Sequence, residues 1–207
     1  FNKRDPLAPL ELTIEANERM SALGEVVEPL DEAAMAASIS GLKGSGVEAL
    51  TVSLMNAYAN GEHEQRIRTI AEQVMPGIPV SISSEVIPEM YEYERAETTV
   101  VNSYIRPVVS KYIESLEAEL NQRMNDVQLH ILRSDGGLAS AEAAKSAPVN
   151  LLMSGPAGGV SGAIWIAKQA GYENLLTFDM GGTSTDVALI EGGVARTRRE
   201  TRVADVT

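Results

Sequence analysis

Residues Leu175–Gly193 read LLTFDMGGTSTDVALIEGG. An apolar run, Leu175–Phe178, delivers Asp179 at its end. Gly181 and Gly182 follow, Thr183, Ser184 and Thr185 supply hydroxyls, and Asp186 lies near the start of a second apolar run, Thr185–Glu191. The expectation is a strand, a tight glycine turn and a second strand. Glycine permits positive φ and close approach to the backbone. Successive N–H groups in such a turn form an anion-binding nest, so the expected ligand is the phosphate of a nucleotide, held by Gly181, Gly182, Thr183, Ser184 and Thr185. Asp179 is itself anionic and is placed to hold Mg²⁺, which takes one or two carboxylates plus phosphates and keeps much of its water. Asp186 is a second carboxylate, for the metal or for orienting water. The alternative is a β-hairpin whose turn is merely polar. There is no Gly-Lys-Ser/Thr, and the turn leads into a strand rather than a helix. Neither a P-loop nor a Rossmann fingerprint is therefore present.

Working outward, Glu191-Gly192-Gly193 reads as a hairpin turn and Val194–Arg202 as the returning strand. Arg196, Arg198 and Arg202 share strand parity and face either a phosphate or solvent. Upstream, Val160–Ala170 reads as a helix. The glycines of Ser154-Gly155-Pro156-Ala157-Gly158-Gly159 before it either aim N–H groups at a phosphate or permit close packing, the reading favoured here. Val149–Met153 reads as a short apolar strand, Ser140–Lys145 as a short helix and Val127–Arg133 as a strand. Asp135-Gly136-Gly137 is either a plain turn or a loop facing a cleft. Glu97–Met124 has the apolar spacing of a long helix (Val100, Val101, Tyr104, Ile105, Val108, Val109, Tyr112, Ile113, Leu116 and Leu120), a stripe expected in the core. Pro107 should kink or break it. Asp31 is the expected N-cap of a helix ending near Leu42. Glu48–Leu54 and Ile78–Ser83 read as strands around a helix at His63–Met75, a βαβ unit with parallel strands. Residues 1–30 read as an irregular lead-in with one short helix. His63 is expected exposed at a helix start and His130 inside a strand core, with no metal spacing between them.

The 207 residues carry a net charge of −12, and 44% are hydrophobic with only 4% aromatic, so the core is aliphatic. An acidic surface repels nucleic-acid phosphates, so no nucleic-acid partner is expected. No apolar run reaches membrane-spanning length. With no cysteine there are no disulfides or thiolate metal sites, which fits a cytoplasmic protein. Both termini read as cut from a longer chain.

Four stretches carry a family resemblance: SSEVIPEMYEYERAETTVVNSYIRPVVSKYI (Ser83–Ile113), LRSDGGLASAEAA (Leu132–Ala144), LLMSGPAGGVSGA (Leu151–Ala163) and FDMGGTSTDVALIEGG (Phe178–Gly193). In this order they resemble the hydantoinase A and 5-oxoprolinase family (N-methylhydantoinase type) of ATP-hydrolysing enzymes, within the actin-like superfamily. The resemblance implies an α/β chain holding part of an actin-like, ribonuclease H-like ATPase fold. Residues 1–170 would be the later part of a first lobe and 171–207 the opening strands of a second. It implies ATP with Mg²⁺, a cyclic amide substrate such as a hydantoin or 5-oxoproline, and a hydantoinase B-like partner subunit or fused region. Asp179 and Asp186 would serve catalysis. Since the family's first phosphate loop is not in these residues, weak ATP binding is expected of residues 1–207 alone. The alternatives are a ketone carboxylase subunit and a non-catalytic actin-like ATP-binding module.

Overall fold

The computed structural model describes residues 6–125, 127–182 and 184–196. The chain divides into two compact units between Lys111 and Tyr112.

In the first unit a 3₁₀ turn, Leu10–Leu12, precedes a small antiparallel hairpin of β1 (Arg19–Met20) and β2 (Val26–Glu28). The hairpin stands where the sequence predicts irregular chain. Asp31 then caps α1 (Glu32–Gly41), its side chain accepting from the Ala34 N–H at 3.0 Å. β3 (Leu50–Val52), α2 (Glu62–Val74) and β4 (Val80–Ile82) follow. β3 and β4 pair in parallel, with Leu50 opposite Val80 and Val52 opposite Ile82, as the βαβ reading expects. Met35 and Ile39 of α1, Ile67 and Ile70 of α2, and Val52 and Ile82 of the strands share one buried cluster. Each such side chain contributes about 1.5–3 kcal/mol by leaving water.

After the short α3 (Ser83–Val86), α4 (Glu92–Arg123) runs for 32 residues, five residues earlier than expected and unbroken through Pro107. Proline forfeits the bond to the carbonyl four residues back, and the helix continues past it. The expected core stripe holds only in part: Ile113 is buried and Val100, Val101, Ile105, Val109, Leu116 and Leu120 are half-buried, but Tyr104, Val108 and Tyr112 are 67%, 73% and 66% exposed, whereas Arg95, Thr99, Asn102 and Ser103 are buried. The reason lies in the strands the helix covers. Thr51 Oγ1 donates to Ser103 Oγ at 2.7 Å, and Asn102 Nδ2 donates to Ser81 Oγ at 3.1 Å. Hydroxyls at the centres of β3 and β4 draw the polar side of α4 inward, because buried polar groups need partners.

At the C-terminal ends of β3 and β4 lies a buried polar clamp. Glu64, fully buried, accepts from the Leu54 N–H (2.8 Å), Ser83 Oγ (2.6 Å) and the Ser84 N–H (2.8 Å). Arg95, also fully buried, donates to Ser83 Oγ at 2.9 Å, to the Leu54 and Glu89 carbonyls and to Glu92. His63 is buried rather than exposed, because its Nδ1 meets Glu18 Oε2 at 2.7 Å across 45 residues of sequence.

In the second unit, β5 (His130–Leu132) and β6 (Leu138–Ser140) form an antiparallel hairpin. His130 is exposed there, not in a strand core, since it sits at the open end of a two-stranded sheet. Ser140 caps α5 (Ala141–Ser146). The strand expected at Val149–Met153 is instead a 3₁₀ turn, Pro148–Leu151. Proline opens it, and both the N–H and Oγ of Ser134 bind the Asn150 carbonyl, at 2.7 and 2.8 Å. α6 (Ser154–Gln169) begins six residues before Val160, so the glycine stretch lies inside the helix. β7 (Leu175–Met180), β8 (Thr185–Glu191) and β9 (Val194–Ala195) complete an antiparallel meander. No helix of the described residues is long and apolar enough to cross a membrane.

Candidate functional site

β7 and β8 pair without interruption from Leu175 opposite Ile190 to Met180 opposite Thr185. The loop expected to hold phosphate is therefore residues 181–184 at the hairpin tip. Gly181 donates its N–H to the Ser184 carbonyl at 2.9 Å and closes the turn. Neither Gly181 nor Gly182 adopts positive φ, which corrects the expected reason for the two glycines. The backbone there is open: a Cβ on Gly181 would meet only the Ser184 carbonyl oxygen, at an ordinary 3.7 Å, and one on Gly182 nothing within 4 Å. Gly182 and Ser184 keep N–H groups with no hydrogen bond to a described residue. Gly181, Gly182, Ser184 and Thr185 are exposed. Thr183 lies outside the described residues, as do Arg198, Arg199 and Arg202. Arg196 is exposed and pairs with Glu191 at 2.7 Å.

The register sets Asp179 directly opposite Asp186. Residues paired this way project from the same face of the sheet, here the face shared with Thr177 and Ala188. That face is turned to α6: Asp179 Oδ2 stands 3.6 Å from where a Cβ on Gly159 would lie. Asp179 is exposed and Asp186 half-buried, and neither is paired with a described residue. Like charges directly opposite each other repel, and a bound cation removes that cost. Among the described residues no group of three or more His, Asp or Glu gathers as a metal cage. Two carboxylates in an open position suit Mg²⁺, which leaves further sites to water and phosphate, better than a closed zinc site.

Asp179 and Asp186 line a cleft of about 1320 Å³ together with α6 and the Arg133–Gly136 turn. The turn follows a strand and lines this cavity. Asp135 accepts from the Gly137 N–H at 2.9 Å and pairs with Arg133 at 2.8 Å. Gly136 has φ 81°, and a Cβ there would stand 3.0 Å from Ser161 Oγ of α6. Arg133, a cation in the cleft, was not singled out in the sequence; its signal is an apolar strand ending in arginine before Ser-Asp-Gly-Gly. The glycines of α6 divide. A Cβ on Gly158 would stand 2.5 Å from Leu132 Cδ2, whereas Gly155 and Gly162 have nothing within 4 Å, so close packing explains only the first.

Comparison with known proteins gives a consistent result. The family described as Hydantoinase/oxoprolinase matches residues 95–207, and its N-terminal region matches residues 1–75. Caprolactamase subunit alpha of Pseudomonas jessenii is 35% identical over 90% of this chain and 27% of its own length. The 5-oxoprolinase of Saccharomyces cerevisiae is 34% identical over 79% of this chain and 12% of its own. A nucleotide-free structure of acetone carboxylase, from work on ATP-dependent acetone carboxylation, superposes with a TM-score of 0.79 at 30% identity, covering 92% of this chain and 27% of that one. The chain thus spans about a quarter or less of the length of these relatives.

Proposed function

The chain belongs to the hydantoinase/oxoprolinase family, and on that premise we propose that it is part of an ATP-dependent enzyme that opens a cyclic amide of the hydantoin or 5-oxoproline type. The observation that carries this reading is the facing, unpaired pair Asp179 and Asp186 beside an open glycine loop and a cleft. Asp179 holds Mg²⁺. Asp186 shares the metal or orients water. The N–H groups of Gly182 and Ser184, unpaired among the described residues, with Thr183, the Thr185 hydroxyl and the open backbone at Gly181, receive phosphate oxygens. An amide is a poor electrophile, and ATP supplies the phosphoryl group that activates its carbonyl. For such a transfer the protein's part is positioning and charge neutralisation.

The lobe assignment belongs to the same proposal: residues 1–170 close a first lobe and 171–207 open a second. It is supported by the outer face of the β7–β8 sheet, where Leu176, Phe178, Met180 and Val187 are 55–69% exposed. A contiguous apolar face left open calls for a covering element. A companion subunit or fused region completes the assembly, as the relative named subunit alpha suggests.

The test is a screen of hydantoin, 5-oxoproline and aryl ketones with bicarbonate for stimulation of ATP hydrolysis by the full-length protein with its partner. A cyclic amide should raise turnover. Stimulation by a ketone instead would favour the second reading, an ATP-dependent ketone carboxylase, which the superposition on acetone carboxylase supports. If neither stimulates, the chain is a non-catalytic ATP-binding module.

A further inference from the structure

The cleft of the second unit carries charge of both signs from different elements. Asp179 and Asp186 come from the β7–β8 sheet, and Arg133 comes from the end of β5. One turn of α6 brings them to the same place. A Cβ on Gly158 would stand 2.5 Å from Cδ2 of Leu132, the neighbour of Arg133. One on the next residue, Gly159, would stand 3.6 Å from Asp179 Oδ2. Arg133 is held but little used. Asp135 pairs with its Nη2 at 2.8 Å and is itself fixed by the Gly137 N–H. The two side chains are 40% and 56% exposed, so the pair orients the guanidinium more than it stabilises the fold. A guanidinium has five N–H donors. The Nε–H of Arg133 is buried with no acceptor among the described residues, and no further bond joins the guanidinium to a described residue. A buried donor without an acceptor is costly and calls for a partner. Arg196, the other cation lining the cleft among the described residues, is taken twice by Glu191, at 3.0 and 2.7 Å. Arg133 is therefore the cation left to meet an anion there.

We propose that Arg133 binds the terminal phosphate of the nucleotide. The inference rests on the reading above that the β7–β8 hairpin holds a nucleotide with Mg²⁺ on Asp179. The terminal phosphate carries the most negative charge of the three and the most free oxygens. It is thus the group that can engage a metal ion and a guanidinium at once. The metal reaches it from the β7–β8 hairpin, and Arg133 reaches it from the β5–β6 turn. A planar guanidinium takes a phosphate through two parallel N–H bonds, which an ammonium cannot reproduce. Asp135 keeps the guanidinium aimed before the nucleotide arrives, which lowers the ordering cost of binding.

The experiment is calorimetric titration of the full-length protein with a non-hydrolysable ATP analogue and with ADP, each with Mg²⁺. Wild type, Arg133→Gln and Arg133→Lys are compared. Arg133→Gln should weaken the ATP analogue at least about tenfold, which is about 1.4 kcal/mol, and ADP by less than about twofold. Arg133→Lys keeps the charge but not the fork and should recover part of the loss. The melting temperature without nucleotide should stay that of the wild type in both variants. The proposal is overturned if the affinities for the analogue and for ADP fall equally, or if neither falls. A lower melting temperature with the ratio of the two affinities unchanged would assign Arg133 to an ion pair with the rest of the full-length chain, and overturns it too. So does a higher KM for 5-oxoproline with both nucleotide affinities intact, which would assign Arg133 to a substrate carboxylate. A wild-type protein that binds neither nucleotide would instead remove the nucleotide reading on which the proposal rests.

Discussion

Replacing Glu64 with alanine should unfold the first unit more readily than any surface change. The side chain is fully buried and accepts three hydrogen bonds, from the Leu54 N–H, Ser83 Oγ and the Ser84 N–H. Its loss strands the Leu54 and Ser84 backbone donors and frees the Ser83 hydroxyl that also accepts from Arg95. A buried donor without a partner costs about 1–3 kcal/mol, and two are stranded. The sum is about 3–5 kcal/mol after partial relaxation. Glu64→Gln retains one oxygen but turns an NH₂ toward a donor, so about half that loss is expected. Urea unfolding followed by far-UV circular dichroism measures both. The single tryptophan, Trp165, lies in the second unit, so its fluorescence transition should move far less than the dichroism. A loss below about 1 kcal/mol for Glu64→Ala would mean that water replaces the carboxylate at no cost, and the clamp would have no energetic standing.

Two further outcomes follow from the structure. Gly162→Ala meets open space and gains helix propensity, so thermal melts should show stabilisation of about 0.5–1 kcal/mol; Gly158→Ala must displace Leu132 Cδ2 and should gain nothing or lose stability. Arg66 binds Glu32 through two bonds of 2.6 and 2.7 Å, which hold the Glu32 carboxyl below its ordinary range. A depressed carboxylate adds stability above its unfolded value and loses it as pH falls through the folded one. Glu32→Gln should therefore flatten the acid limb of a melting-temperature profile below about pH 5 and leave alkaline pH unaffected.

Much of the fold is legible where local chemistry is decisive. The βαβ unit is marked by Gly44, Gly46 and Met75-Pro76-Gly77, α1 by its Asp31 cap, and the β7–β8 hairpin by apolar runs on either side of two glycines. What escaped depends on partners distant in sequence. Periodicity shows that Tyr104 and Val108 share a face of α4 but not which face turns inward. The deciding residues are Thr51 and Ser81, hydroxyls at the centres of two strands 30 residues apart. The burial of His63 depends on Glu18, 45 residues away. The glycine loop reads as taking positive φ and admitting close approach; neither glycine takes positive φ, and the backbone at both is open to solvent. Within the candidate site, Asp179 and Asp186 were both singled out, and only the strand register shows that they face each other. Arg133 and the turn at Asp135 join the same cleft through contacts with α6 that no local pattern announces.

The central claim is that the β7–β8 hairpin holds nucleotide phosphate through a magnesium ion on Asp179. Calorimetric titration of the full-length protein with a non-hydrolysable ATP analogue, for wild type and Asp179→Asn, with Mg²⁺ and with chelator, tests it most directly. The account predicts Mg²⁺-dependent binding by the wild type that falls at least about tenfold in Asp179→Asn, the loss expected when a charge-assisted contact worth about 1.4 kcal/mol or more is removed. Equal, Mg²⁺-dependent affinity in the two proteins would contradict it.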